Sequence, residues 1–250
     1  MKTFVVFFTL FHVISVICYP QNKTYIGFGL DAVVDLPGYT GVYAHDQLLV
    51  DGSWNIYLGH DINSIFRLES GAIRKEVTSA GGVTSTIPME TSTIVGVSGG
   101  INFEVWQIPF RLRSKLFTID KKVKIFSRVG CHLSLSSYQL HESLKLKTGN
   151  LPVLDPDQTV ISYTHQKDLK RNDFALFEVG LGSEFLIFQK MPLVIALSYF
   201  GGFQEVSKEQ TIYRYADGSI FTGSSVTKGS YFSLGFSFSY PISEIWKKNK

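Results

Sequence analysis

The sequence predicts an all-β protein, a closed up-and-down antiparallel transmembrane β-barrel of about eight strands, with ten as the alternative, after an N-terminal signal peptide. Three observations carry that prediction. Bulky apolar residues alternate with small or charged ones at a period of two over eight segments. The connections between those segments alternate between short and long. The 250-residue chain is 44% hydrophobic and 14% aromatic but only 18% charged, with a mean hydropathy of +0.11. Beyond the N-terminal segment it contains no apolar run of about 18 residues that could hold that surplus in a membrane helix. The same composition excludes a disordered chain, and the length suits one domain with a large core.

The N-terminus reads as an export signal. Lys2 precedes an apolar stretch from Phe4 to Ile17, followed by Cys18, Tyr19 and Pro20. Val16 and Cys18 are small enough for cleavage after Cys18, which divides the chain into residues 1–18 (signal) and 19–250 (barrel). Lipidation of Cys18 is the lesser reading, because Ile17 before it is not small. Loss of Lys2 lowers a net charge of +3 by one, and a chain so near neutrality has no electrostatic case for nucleic acid as a partner.

The predicted strands follow in order. Thr24 to Val34 sets Ile26, Phe28, Leu30 and Ala32 against Tyr25, Gly27, Gly29 and Asp31. Trp54 to His60 sets Trp54, Ile56 and Leu58 against Asn55, Tyr57 and Gly59. Ser64 to Glu76 opposes Phe66, Leu68 and Ala72 to Arg67, Glu69, Gly71 and Lys75. Trp106 to Leu116 has the sharpest contrast, with Trp106, Ile108, Phe110 and Leu112 against Gln107, Arg111, Arg113 and Lys115. Just upstream, Ile101, Phe103 and Val105 are out of phase with that set, which predicts a bulge near Val105. Val123 to Leu135 places Val129, Cys131 and Leu133 opposite Arg128, Gly130, His132 and Ser134. Asp173 to Phe185 places Phe177, Val179 and Leu181 opposite Glu178, Gly180, Gly182 and Glu184. Leu193 to Phe203 and Tyr231 to Tyr240 complete the set, the last as YFSLGFSFSY with one aromatic and one small polar face.

Short links at 61–63, 117–122 and 186–192 alternate with long ones at 35–53, 77–100, 136–172 and 204–229. That is the signature of a barrel with turns at one end and loops at the other. Ala216-Asp217-Gly218, within Tyr213 to Thr222, predicts a hairpin in the last loop and a ribbon reaching beyond the membrane.

Alternation alone does not say which face is inside. About eight strands could hardly enclose all the Phe, Trp and Leu of the apolar face, whereas Gly, Ser and charges of both signs suit a narrow lumen. Aromatics also gather near predicted strand ends: Trp54, Trp106 and Tyr138 toward the loops, Phe117, Phe188 and Tyr240 toward the turns. The lumen is therefore expected to hold Asp31, Arg67, Glu69, Arg111, Arg113 and Arg128, together with Lys115, Lys124, Glu178 and Glu184. Those charges could filter ions, but in so narrow a space a structural network of pairs is the expected role, with the arginines facing Glu69, Glu178 or Glu184.

No catalytic, cofactor or metal site is predicted. His132 and Ser134 lie two apart and raise a hydrolase reading, but by phase both point into the lumen, away from lipid. Gly27-Phe28-Gly29 and Gly180-Leu181-Gly182 lack the helix start of a phosphate loop. Asp155 and Asp157 lack EF-hand spacing, Asn22-Lys23-Thr24 matches a glycosylation acceptor that a bacterial origin would make idle, and Cys131 reads as a small hydrophobe.

The chain resembles the small outer-membrane β-barrel proteins of Gram-negative bacteria, particularly the PorT-like barrels of Bacteroidota. The resemblance rests on Leu68-Glu69-Ser70-Gly71, Gln107-Ile108-Pro109-Phe110-Arg111-Leu112, Arg128-Val129-Gly130, and Asp173 followed by Gly180-Leu181-Gly182. Ser233, Gly235, Phe238 and Tyr240 also resemble the signal read by barrel-insertion machinery, although Pro241 to Lys250 follow it. The resemblance implies an outer-membrane location with lipid and insertion machinery as partners, and it carries no catalytic residues. The expected function is non-enzymatic: a plugged barrel acting through long loops, which bind a protein or glycan, or through its wall in envelope assembly. A narrow pore and a lipid-modifying enzyme are the alternatives.

Overall fold

A computed structural model describes residues 23–36, 38–41, 50–79, 101–119, 123–136, 160–170, 172–187, 191–215 and 218–242. Twelve strands account for nearly all of them: β1 (Thr24–Asp35), β2 (Gly38–Gly41), β3 (Val50–Asp61), β4 (Phe66–Ser79), β5 (Ile101–Ile119), β6 (Val123–Ser136), β7 (Val160–Leu169), β8 (Asp173–Ile187), β9 (Met191–Gly202), β10 (Ser207–Tyr215), β11 (Ile220–Thr227) and β12 (Tyr231–Pro241). Eight of these close into an antiparallel barrel in the order β1, β12, β9, β8, β6, β5, β4, β3. All eight segments that alternate in the sequence are barrel strands, so the barrel has eight strands and not ten. Each has 11 to 19 residues, enough to cross a bilayer, which takes about 9–11 when the strand is tilted. Among the described residues no helix is long and apolar enough to span a membrane.

The period of two becomes an inside-out distribution. Ile26, Phe28, Leu30, Phe110, Leu133, Val179, Leu181, Leu197, Phe236 and Phe238 are all exposed on the outer wall, while most of their neighbours in sequence are buried within the barrel. On the loop side of that wall, Phe177, Tyr199, Phe203 and Phe232 form a chain of ring contacts, and Trp54 packs edge-on against Trp106. Tyr138 and Phe188 lie outside the described residues.

One detail differs from the sequence expectation. The bulge does not fall near Val105: β5 keeps one register against β4 from Ser79 to Phe66, and its register shift lies between Lys115 and Phe117, opposite β6. Val105 keeps the phase of Gln107, Arg111 and Arg113 and is fully buried. The apparent phase change reflects a change in what fills the lumen. Toward the loops the interior turns apolar, and Val33, Val105, Phe174, Leu176, Phe200, Val206 and Tyr231 pack as one cluster. Pro109 interrupts the β4–β5 ladder opposite Gly71, because it has no N–H to donate. Ser70 Oγ donates to the Pro109 carbonyl at 2.7 Å, keeping that acceptor satisfied.

The remaining strands form a separate four-stranded sheet in the order β2, β11, β10, β7. This order copies that of the barrel strands they join: β2 continues β1, β11 leads into β12, β10 continues β9 and β7 leads into β8. Half of the wall therefore continues past the rim. Backbone bonds carry the ladder across the break, from Leu36 N to Ser230 O, Val206 N to Thr227 O and Lys170 N to Val206 O. The break is shaped by Gly202 and Gly229. A Cβ on Gly202 would lie 1.7 Å from the Lys228 carbonyl oxygen, and Gly229 has φ +72°, a conformation that favours glycine. The ribbon expected in the last loop is the β10–β11 pair, although Ala216 and Asp217 at its turn lie outside the described residues.

Candidate functional site

Strand register decides which charges can meet inside the barrel. Arg67, Arg113 and Arg128 are direct partners across β4, β5 and β6, forming a row of three guanidinium groups. The next row along places Glu69 beside Arg111, then Gly130, then Glu178. Like charges opposed on adjacent strands repel, so the arginine row holds together only because carboxylates reach it from above and below.

Three carboxylates do so. Near the turn end, Glu184 Oε2 accepts from Arg113 Nη2 at 2.6 Å and Arg67 Nη1 at 3.2 Å, and its Oε1 accepts from Lys124 Nζ at 2.9 Å. At mid-lumen, Glu69 lies 3.7 Å from Arg113 and 3.6 Å from Arg128. Beyond it, Glu178 is 1% exposed and serves four donors: Arg111 Nε at 2.5 Å, His132 Nε2 at 2.7 Å, Ser198 Oγ at 2.9 Å and Arg128 Nη1 at 3.5 Å. Gly130 lies between Arg111 and Glu178 in the register, where a Cβ would come within 2.8 Å of the Phe110 carbonyl. Phe126 provides an apolar floor, with the Arg113 guanidinium 3.6 Å from its ring centroid.

Asp31 stands apart from this ion-pair network and instead accepts hydrogen bonds from Asn55 Nδ2 at 2.8 Å and Ser53 Oγ at 3.1 Å. Lys115 lines the turn-side mouth and makes no ion pair among the described residues. A mid-lumen cavity between Asp31, Asn55, Arg111 and Arg128 measures about 20 Å³, room for about one water. Above the network, Tyr231 donates to Gln107 at 2.8 Å, and Lys75 pairs with Asp35 while its ammonium lies 3.8 Å from the Tyr231 ring centroid. Sequence reasoning left out this upper pair. The signal was there, since Lys75 shares the phase of Arg67 and Glu69, and Asp35 that of Asp31.

His132 and Ser134 are buried in the lumen, 0% and 1% exposed. His132 Nδ1, Ser134 Oγ and the Nε2 of Gln107, which lies opposite Ser134, have no partner among the described residues. A serine and a histidine sealed behind an apolar cluster are out of reach of a lipid acyl chain. Cys131 is exposed on the outer wall, and no group of three metal-ligating side chains occurs among the described residues. Asp155 and Asp157 lie outside them.

No protein-family model and no curated protein matches this chain. Solved structures do. The outer membrane protein OprG from Pseudomonas aeruginosa aligns over 88% of this chain and 96% of its own at 11% identity, with a TM-score of 0.45. Neisserial surface protein A aligns over 89% and 99% at 10% identity, with a TM-score of 0.39. Ail, the attachment invasion locus protein of Yersinia pestis, solved with the heparin analogue sucrose octasulfate, aligns over 88% and 99% at 12% identity, with a TM-score of 0.36.

Proposed function

We propose that this chain is a non-enzymatic outer-membrane β-barrel whose lumen is a structural plug and whose work is done by the surface beyond the loop-side rim. The observation that carries this reading is the continuation of half the wall into a four-stranded sheet above an interior filled by side chains. A barrel needs no such extension to be stable in a membrane, whereas a rigid sheet held above the bilayer can present a binding surface. The lipid-facing apolar wall and charged lumen place it in a bilayer, and only a closed barrel satisfies strand edges there.

On this reading Asp31, Arg67, Glu69, Arg111, Arg113, Arg128, Glu178 and Glu184 hold the lumen shut. Residues 1–18 serve as a cleaved export signal, and β12 is offered to barrel-insertion machinery. The ordered motifs in β4, β5, β6 and β8 support kinship with the PorT-like barrels of Bacteroidota. The partner is a protein or glycan outside the cell.

The test is a shortened form in which residues 209–225 are replaced by a two-residue turn, cut at the register pair Lys208 and Val226. Cells displaying either form are applied to a glycan array and to host-cell matrix. The shortened barrel should still shift its gel mobility on boiling but lose adhesion. Undiminished adhesion would remove the sheet from the function.

A further inference from the structure

The turn-side end of the barrel has a property that neither the lumen plug nor the loop-side sheet requires. A cavity of about 290 Å³ opens there, and its wall carries Lys23, Arg67, Arg113, Lys115 and Lys124. Against these five cations stand two acids, Asp61 and Glu184. Asp61 is occupied by Arg67 at 2.6 Å and by the Tyr25 hydroxyl at 3.1 Å, and Glu184 by Arg67, Arg113 and Lys124. Lys23 has a partner of its own, and among the described lining residues Arg67, Arg113, Lys115 and Lys124 exceed the two acids by two positive charges. Deeper in the lumen the balance is different, since Arg111 and Arg128 are answered by Glu69 and Glu178. A narrow, low-dielectric mouth concentrates the field of an unbalanced cluster more than an open surface does.

Two further observations narrow the occupant. Lys115, which makes no ion pair among the described residues, sits where the β5 register shifts against β6, and a bulge of this kind re-aims side chains at a barrel rim. Ile65 and Phe66 line the same cavity and are 49% and 37% exposed, so cations on the inner wall meet an apolar lip facing the bilayer. Lysine ammoniums beside two guanidinium forks suit a compact oxyanion with several acceptors, and the lip suits the tail of an amphiphile.

We propose that the turn-side mouth is a binding site for a phosphate-bearing anion, formed by Lys115 and Lys124 with Arg67 and Arg113 behind them. Its chemistry is shared by a phospholipid headgroup of the adjacent leaflet and by free phosphate. The lipid arm rests on the membrane-barrel reading, and boiling-dependent gel mobility of the same sample reports on that reading separately.

The experiment uses the full chain refolded in a neutral detergent at low salt. It is titrated calorimetrically with inorganic phosphate, dihexanoyl phosphatidylglycerol and dihexanoyl phosphatidylcholine. Saturable binding of phosphatidylglycerol, tighter than that of inorganic phosphate, assigns the site to a headgroup, whereas equal affinity assigns it to free phosphate. In either case the double variant Lys115→Ala, Lys124→Ala should bind about thirtyfold more weakly, from two cations near one phosphate. Lys208→Ala at the loop end should bind as the parent does. Retention of heat-modifiable mobility shows that each variant is folded. No saturable binding by either phosphate probe, or equal binding by the folded double variant, overturns the proposal.

Discussion

The barrel wall below the rim and the sheet above it follow the same four strand paths, yet their sequences obey different rules. Below the rim, β1, β8 and β12 alternate Phe, Leu or Val outside with Gly, Ser or a charge along the middle of the lumen, and β9 sets Leu193, Ile195 and Leu197 outside against Val194, Ala196 and Ser198 inside, because one face meets lipid and the other a crowded lumen. Above it, β7 reads VISYTHQKDL and β10 reads SKEQTIYRY, with polar residues at both parities. Both faces of such a strand can be hydrated, so nothing forces a contrast between them. Alternation in this chain is a record of the bilayer, and it stops where the bilayer stops.

The comparison makes the lumen the costly place to disturb. The largest effect is expected for Glu178→Ala, which takes the acceptor from Arg111 and His132 and leaves Arg128 only Glu69. Breaking a buried pair in this way costs about 3–5 kcal/mol, read as a lower unfolding midpoint of the refolded barrel in detergent. Glu178→Gln should lose less, since a neutral amide still accepts hydrogen bonds. A negligible loss for the alanine variant would mean that water already solvates these charges, as in an open pore.

Next is Gly182→Ala, whose methyl would lie 2.4 Å from Phe126 Cζ and push that ring from beneath Arg113. Overpacking of this kind costs about 1–3 kcal/mol, visible in the same midpoint, and an unchanged midpoint would show that the lumen is loosely filled. Above the rim, Gln210→Pro strikes the middle of β10, between Ser224 on β11 and Gln166 on β7. It should open the sheet to protease while moving the barrel midpoint by less than about 0.5 kcal/mol. A large fall in barrel stability would mean that the two regions fold as one unit. The smallest effect is expected for Arg74→Ala, which removes an exposed pair with Glu104 at 2.8 Å and should leave the midpoint where it was.

How much could be read in advance follows from the same contrast. The eight barrel strands were legible because lipid and lumen impose opposite demands on successive residues. Arg67, Glu69, Arg111, Glu178 and Glu184 could be placed on the inner face from phase alone. Their pairings could not, because the arginine row depends on inter-strand register, which no single segment contains. Val105 was misread as a bulge because an apolar residue on the inner face looks like a slip of phase when the interior is assumed polar throughout. The four-stranded sheet was legible only at its β10–β11 hairpin, where a turn sequence announced it. β2 and β7 pair through partners far away in the chain and carry no alternation of their own.

The proposed plug seals the lumen with its own charges and leaves the protein to work at its surfaces. Planar-bilayer recording on heat-modifiable, refolded protein tests it most directly. Silent membranes are expected for the parent chain at moderate voltage. Stepwise conductance whose size or ion selectivity changes in Arg111→Ala or Arg128→Ala would contradict it, because those side chains would then line a path and not a plug.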